Sequence, residues 1–235
     1  RAYENSIGKF HTKDLPIKSE ALATFIEVWF DEALFKSGFF HGDLHAGNVF
    51  LSPSPLPGYA PFGRDYQLTL IDFGSCGKLS KIEQKAIITI ILGTSVKAPA
   101  LVTRAFNSLC CLDTCQEKAF AKFVEETFDK GAQTSAAFSA IMNKAVELEF
   151  DLPKNFILFD RGKTFLESQM SSVNTELEQW DTKKEVKRFN TTDVLKSVFQ
   201  WRLKPDVLKS VFNLQDQSDA HIDKKTIIDL VRSYF

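Results

Sequence analysis

His41-Gly42-Asp43-Leu44-His45-Ala46-Gly47-Asn48, followed by Ile71-Asp72-Phe73-Gly74, decides how this chain of 235 residues is read. The two strings supply a carboxylate, an amide and a second carboxylate, in the order used for phosphoryl transfer from ATP. That chemistry asks little covalent help of a protein. It needs positioned groups and a divalent ion on the phosphates. Asp43 is the candidate catalytic base or hydroxyl-orienting group. Asn48 offers a neutral oxygen to a metal ion and Asp72 a charged one. Hard oxygen donors of this kind suit Mg²⁺, or Mn²⁺ in its place.

The spacing has a physical reason. Asp43 and Asn48 lie five apart on a loop that carries Gly42 and Gly47, residues able to take backbone angles that others cannot. Both side chains can therefore converge on one small volume. Val49-Phe50-Leu51 reads as a short strand, and Gln67–Ile71 as a second one ending at Asp72. Paired in a hairpin, they would bring Asn48 and Asp72 together. His41 and His45 flank Asp43. Structural support of the loop is the expectation for each, with His45 also able to orient Asp43 or approach a phosphate.

The string Gly38–Asn48, then Ile71-Asp72-Phe73-Gly74, resembles the UbiB/AarF-type atypical kinases. So does a downstream segment with Leu152-Pro153, Phe156, Leu158, Arg161 and Leu166-Glu167. The resemblance covers about residues 19–180 and is tightest at the two motifs. It implies the C-terminal lobe of a protein-kinase-like fold, mainly α with a small β-hairpin. It also implies ATP and Mg²⁺ as cofactors and a role in isoprenoid-quinone or other lipid metabolism at membranes. A lipid or quinone-precursor substrate, or a biosynthetic complex, would be the partner. Phe73 and Gly74 would begin the activation segment. Two other readings stay open: a small-molecule phosphotransferase similar to aminoglycoside or choline kinases, and a non-catalytic scaffold that binds nucleotide.

Departures from the resemblance are informative. Gly42 stands where typical protein kinases carry Arg, and Ala46 where the family motif has Pro. The connection Ser52–Tyr66 is rich in Pro and Gly and reads as a surface insertion, since Pro lacks the amide donor that a sheet interior needs. An N-terminal lobe with its Gly- or Ala-rich loop, its Lys–Glu pair and a Lys-x-Gly-Gln motif is not among these residues. The chain starts at Arg1 with Asp43 only 42 residues in. It therefore reads as a C-terminal lobe cut from a longer protein, residues 1–180 forming the lobe and 181–235 a helical extension.

Composition bounds the remainder. A hydrophobic fraction of 44% is ample for a core, and the 22 Phe residues are expected at helix interfaces. Net charge is −1, which gives no general affinity for nucleic acid. Lys183-Lys184 and Lys187-Arg188 are expected on a solvated helix face, with peripheral contact to lipid headgroups the lesser reading. No run approaches the roughly 18 apolar residues of a membrane span. Cys76, Cys110, Cys111 and Cys115 lack a His or further Cys to complete a zinc set. Buried free thiols in a reducing intracellular compartment are expected.

After residue 80 the pattern is helical. Ser19–Lys36 carries a one-sided apolar stripe that ends at Gly38. Ser80-Lys81-Ile82-Glu83 and Thr114-Cys115-Gln116-Glu117 read as capping boxes. The first predicts a helix with Ile82, Ala86, Ile87, Ile90 and Ile91 inward. The second predicts a helix that stops near Gly131. Further helices are predicted over Ser135–Glu149, Asn155–Val173 and Asp223–Phe235. Asp193–Phe199 recurs as Asp206–Phe212, which predicts two short amphipathic helices bent at Pro205.

Overall fold

The computed structural model describes residues 15–53, 66–95, 97–130, 134–180 and 187–202. Among the described residues the chain is mainly helical, with four short strands. The helices are α1 (Leu15–Phe30), α2 (Lys81–Ser95), α3 (Pro99–Cys110), α4 (Thr114–Asp129), α5 (Thr134–Glu147), α6 (Lys154–Trp180) and α7 (Thr191–Arg202). The strands form two antiparallel pairs. β2 (Val49–Pro53) pairs with β3 (Tyr66–Leu70) in the expected hairpin, and β1 (Phe39–His41) pairs with β4 (Cys76–Lys78). The second pair was not foreseen. Three residues are too few to show the period-2 alternation by which a strand is read. Two compact units result. Of the described residues, one holds those from 15 to 33, from 39 to 78 and from 158 to 195; the other holds those from 34 to 38, from 79 to 157 and from 196 to 202.

The first unit is built on α1 and the later turns of α6. Leu22, Phe25, Ile26, Trp29 and Phe30 are buried along one side of α1. Trp29 stacks on Phe159 (centroids 4.9 Å apart), and Phe30 and Phe40 meet the pair edge-on. Such pairs are worth about 0.5–1.5 kcal/mol beyond their buried area. The Trp29 indole N–H donates to the His41 carbonyl (3.1 Å), which ties this aromatic cluster to the 41–48 loop. Lys18 of α1, almost wholly buried, reaches Glu176 of α6 at 3.2 Å. α1 begins four residues earlier than expected and ends at Phe30, where a π-helical turn over Asp31–Phe35 takes over.

In the second unit, Phe106, Phe120, Phe150 and Phe156 form an edge-to-face cluster within which α3, α4 and the start of α6 meet. The Ser80–Glu83 box caps α2 as expected: the Ser80 N–H donates to Glu83 Oε2 (2.7 Å) and the Glu83 N–H to Ser80 Oγ (3.2 Å). Ile82 corrects the inward set, since it is exposed while Ala86, Ile87, Ile90 and Ile91 are buried. The second box is shifted by one residue. Asp113 is the N-cap and Gln116 its partner, because a carboxylate caps at least as well as a Thr hydroxyl. α3 went unread, although Pro99 at its first turn is a start signal. α6 outlasts its expected end at Val173 by two turns. α7 contains the first copy of the repeat. The second copy, Pro205, the Lys183-Lys184 pair and the Asp223–Phe235 helix lie outside the described residues.

Two of the cysteine expectations change. Cys111 and Cys115 are exposed rather than buried. Cys111 closes α3 in the left-handed conformation and Cys115 sits in the first turn of α4, so the two do not share a helix face. Cys110 is half-buried, and burial, with Asp151 and Cys111 nearby, pushes its thiol up to about 11.

Gly38 has a clear structural duty. Its φ is +82°, and a Cβ there would stand 2.4 Å from the Leu79 carbonyl oxygen, while Leu79 N–H donates to Gly38 O (2.9 Å). Gly38→Ala is expected to lower stability by about 2–4 kcal/mol, the sum of a left-handed penalty and a backbone collision. Urea unfolding measures it. A midpoint equal to that of the unsubstituted protein would contradict this geometry.

Candidate active site

Asn48 ends a 3-10 turn (Ala46–Asn48), and β2 follows directly. Its register, Val49 opposite Leu70, continues one step further, where Ile71 N–H donates to Asn48 O (3.1 Å). Asn48 and Asp72 therefore sit at the same end of the β2–β3 ribbon. The pairing is fixed by apolar packing, because Val49 and Leu51 are buried and a one-residue slip would turn both outward.

Four hydrogen bonds close a ring around this end. Asp43 N–H donates to His41 Nδ1 (3.2 Å). His41 Nε2 meets the Ile71 carbonyl (3.1 Å). Ile71 N–H donates to Asn48 O, and Asn48 Nδ2 donates to Asp43 O (3.0 Å). The ring assigns the His41 tautomer. Nδ1 accepts from an amide, so the proton sits on Nε2 and points at Ile71. His41 is buried and bound at both ring nitrogens. It joins the 41–48 loop to the strand that delivers Asp72. The Asn48 side chain is buried too, with its amide nitrogen committed to Asp43 O. Its amide oxygen is then the atom it can offer to a cation.

Asp72 is exposed and takes φ 58°, ψ 67°, a left-handed conformation, as the N-cap of the turn Phe73–Ser75. Asp tolerates this region when its short side chain bonds locally, and Asp72 Oδ1 accepts from Gly74 N–H (3.4 Å). Phe73 is 57% exposed and sets its ring edge toward His41 (5.5 Å between centroids). His45 caps the 3-10 turn, with Nδ1 accepting from Gly47 N–H (3.1 Å).

Glycine acts here through space rather than through angle. Neither Gly42 nor Gly47 has positive φ, which corrects the reason given for them above. A Cβ on Gly42 would lie 2.4 Å from Leu158 Cγ and 3.0 Å from Ser75 O, and Gly42 N–H donates to that same oxygen (2.8 Å). The loop runs against α6 with no room for a side chain. Gly162 on α6 is the counterpart. Its Cβ would meet Trp29, the His41 carbonyl and Gly42 Cα within 3.0–3.3 Å.

This close approach brings in a residue that had been quoted within a motif but given no role. Arg161 Nη2 donates to Asp43 Oδ1 at 2.9 Å. Gln169, two turns along α6, donates through Nε2 to the Leu44 carbonyl. The signal was a glycine inside a helical pattern. Gly costs about 1 kcal/mol against Ala there and marks close backbone packing. Beside Arg161, burial raises the carboxyl of Asp160; Lys163 draws it back down and Glu167 pushes it up.

The donor types fit a hard cation with phosphate ligands: the amide oxygen of Asn48 and the carboxylate of Asp72, with Asp43 joined to Asn48 through its backbone carbonyl. Among the described residues, no three His, Cys, Asp or Glu side chains gather as an all-protein cage. No described helix is long and apolar enough to cross a membrane.

Residues 8–103 match the model of the ABC1 atypical kinase-like domain. Over 175 residues, 68% of the chain, the sequence is 23% identical to the probable protein kinase UbiB of Histophilus somni (strain 129Pt). Over 63 residues, 25% of the chain, it is 41% identical to an uncharacterized protein of Acanthamoeba polyphaga mimivirus. The chain spans 29% and 7% of the lengths of these two relatives. No solved structure matches significantly. The likeness to UbiB/AarF-type atypical kinases that the two motifs carry is thus shown.

Proposed function

We propose that this chain is the C-terminal lobe of a UbiB-type atypical kinase or ATPase, with Asp43 as its catalytic carboxylate and Asn48 and Asp72 as its metal ligands. On this reading the lobe ends with α6 at Trp180, and α7 belongs to the extension beyond it. The observation that supports this most directly is the ring through His41, Asp43, Asn48 and Ile71. It joins Asp43 and Asn48 to Ile71, the residue just before Asp72, at one ribbon end.

Asn48 would hold Mg²⁺ or Mn²⁺ through its amide oxygen, and Asp72 through a carboxylate oxygen. When bound with ATP, the ion neutralises the phosphate oxygens as charge builds on them. Asp43 accepts the proton of the attacking hydroxyl or water, or aligns it. His41 and Gly47 keep the loop in shape, His45 caps its last turn, and Phe73 and Gly74 open the segment after Asp72. The acceptor is a lipid or quinone precursor, or water within a biosynthetic complex, met at a membrane surface. The name of the Histophilus relative supports the kinase reading.

Asp43→Asn in the intact protein tests it. ATP turnover should fall by about 10²–10⁴-fold, while nucleotide affinity changes far less, since the ligands at Asn48 and Asp72 remain. Equal loss of both would make Asp43 a structural residue. Unchanged turnover would end the phosphotransfer reading.

A further inference from the structure

We infer that Arg161 is a positioning residue for the proposed reaction, acting through Asp43; this rests on Asp43 being the catalytic carboxylate. A carboxylate on a loop can rotate about its last two bonds. Asp43 is held at its backbone by the ring described above, but those bonds leave its side chain unfixed. Arg161 supplies the missing restraint by donating from Nη2 to Oδ1 (2.9 Å). A carboxylate has two oxygens and about four acceptor sites, so Oδ2 stays available to a hydroxyl proton.

The guanidinium is itself held. It lies over the Phe165 ring, one turn along α6, at 5.6 Å. The helix beneath it is pinned to the loop on both sides: Leu158 fills the space over Gly42, Gly162 nests against His41 and Gly42, and Gln169 donates to Leu44. Arg161 is half-exposed and Asp43 only about one-fifth exposed. As a bare surface pair it would add little to stability. A charged, directional hydrogen bond to the one carboxylate in the loop is instead suited to fixing geometry. Gly42, where typical protein kinases carry Arg, fits the same arrangement. The loop has no side chain at that position because α6 passes there, and the guanidinium reaches the loop from the helix.

The test is a double-substitution cycle on the intact protein, with Mg·ATP turnover and Mg·ADP affinity as probes. Arg161→Gln is expected to lower kcat by about 10- to 100-fold, the size of effect that misplacing a reacting group produces. KM for ATP and Mg·ADP affinity should stay near those of the unsubstituted protein. Arg161→Lys should recover part of kcat, since it keeps the charge and loses the fork. Combined with Asp43→Asn, Arg161→Gln should add no further loss. An effect that persists undiminished in the Asp43→Asn background would place Arg161 on the phosphoryl group itself and overturn the inference. So would an unchanged kcat. Hydrogen exchange provides a readout independent of turnover. Arg161→Gln should leave exchange at the Asp43–Asn48 amides and in α2 unchanged, because the ring holds the loop backbone; faster exchange in the loop would make Arg161 a structural support of the loop and overturn the inference. If Asp43→Asn slows turnover and Arg161→Gln does not, only the role of Arg161 fails. If Asp43→Asn is also without effect, the phosphotransfer reading fails first.

Discussion

Asp72→Ala in the intact protein is expected to abolish metal-dependent nucleotide binding and turnover together. The loss in affinity for Mg·nucleotide should be about two orders of magnitude or more, since even residues that only support a metal ligand cost 10- to 100-fold when removed. Two things go at once. The charged oxygen leaves the ribbon end, and so does the side chain that makes a left-handed turn tolerable at φ 58°. Asp72→Asn separates them. Asn accepts the same backbone region and can still receive the Gly74 N–H, so the turn survives while the negative charge is gone. Affinity should fall for both variants, and thermal stability for the Ala variant alone. Titration calorimetry with Mg·ADP and with metal-free ADP makes the comparison. Retained Mg·ADP affinity in Asp72→Ala would remove Asp72 from the metal site.

The second large effect is expected from the smallest change in volume. Gly42→Ala adds one methyl group where Leu158 Cγ stands 2.4 Å away and the Ser75 carbonyl 3.0 Å away. Leu158 Cγ is not a free side-chain end, and Ser75 O is backbone already accepting from Gly42 N–H. Either α6 or the loop must move. Overpacking of this kind costs about 1–3 kcal/mol, and a loop displaced by about 1 Å can lose some 10²-fold in rate. Gly42→Ala should therefore lower the urea midpoint and reduce turnover by more than its loss of folded protein explains. Leu158→Ala in the same chain opens the space and should restore part of both. If Gly42→Ala unfolds and turns over like the parent protein, α6 does not press on this loop.

Much of the site was legible because its chemistry is local. Asp43 and Asn48 share one eight-residue string, and Asp72 is named by the Phe-Gly that follows it. The hairpin that unites them was readable from Val49-Phe50-Leu51 and the apolar run before Asp72. What escaped was what lies far along the chain. Arg161 is 118 residues from its partner, and no periodicity within α6 says which loop that helix will cross. The role of Gly42 was misassigned for the same reason. A sequence displays the freedom of a glycine, whereas the atom that fills its missing side chain belongs to Leu158. The shift of the α4 cap from Thr114 to Asp113 is a different kind of miss. Two adjacent residues could both cap, and the choice fell to the one whose carboxylate met two free amides.

The sequence by itself determined which oxygen-bearing residues are candidates, the hairpin that brings Asn48 and Asp72 to one end and a mainly helical chain, because these follow from residue type and from spacing within a few turns. Only the tertiary structure decided the ring through His41 and Ile71, the pairing of β1 with β4 and the reach of Arg161 to Asp43. Each of those is a contact between distant segments. Such contacts are selected by the packing of the whole apolar interior, and no short stretch of the chain contains that information.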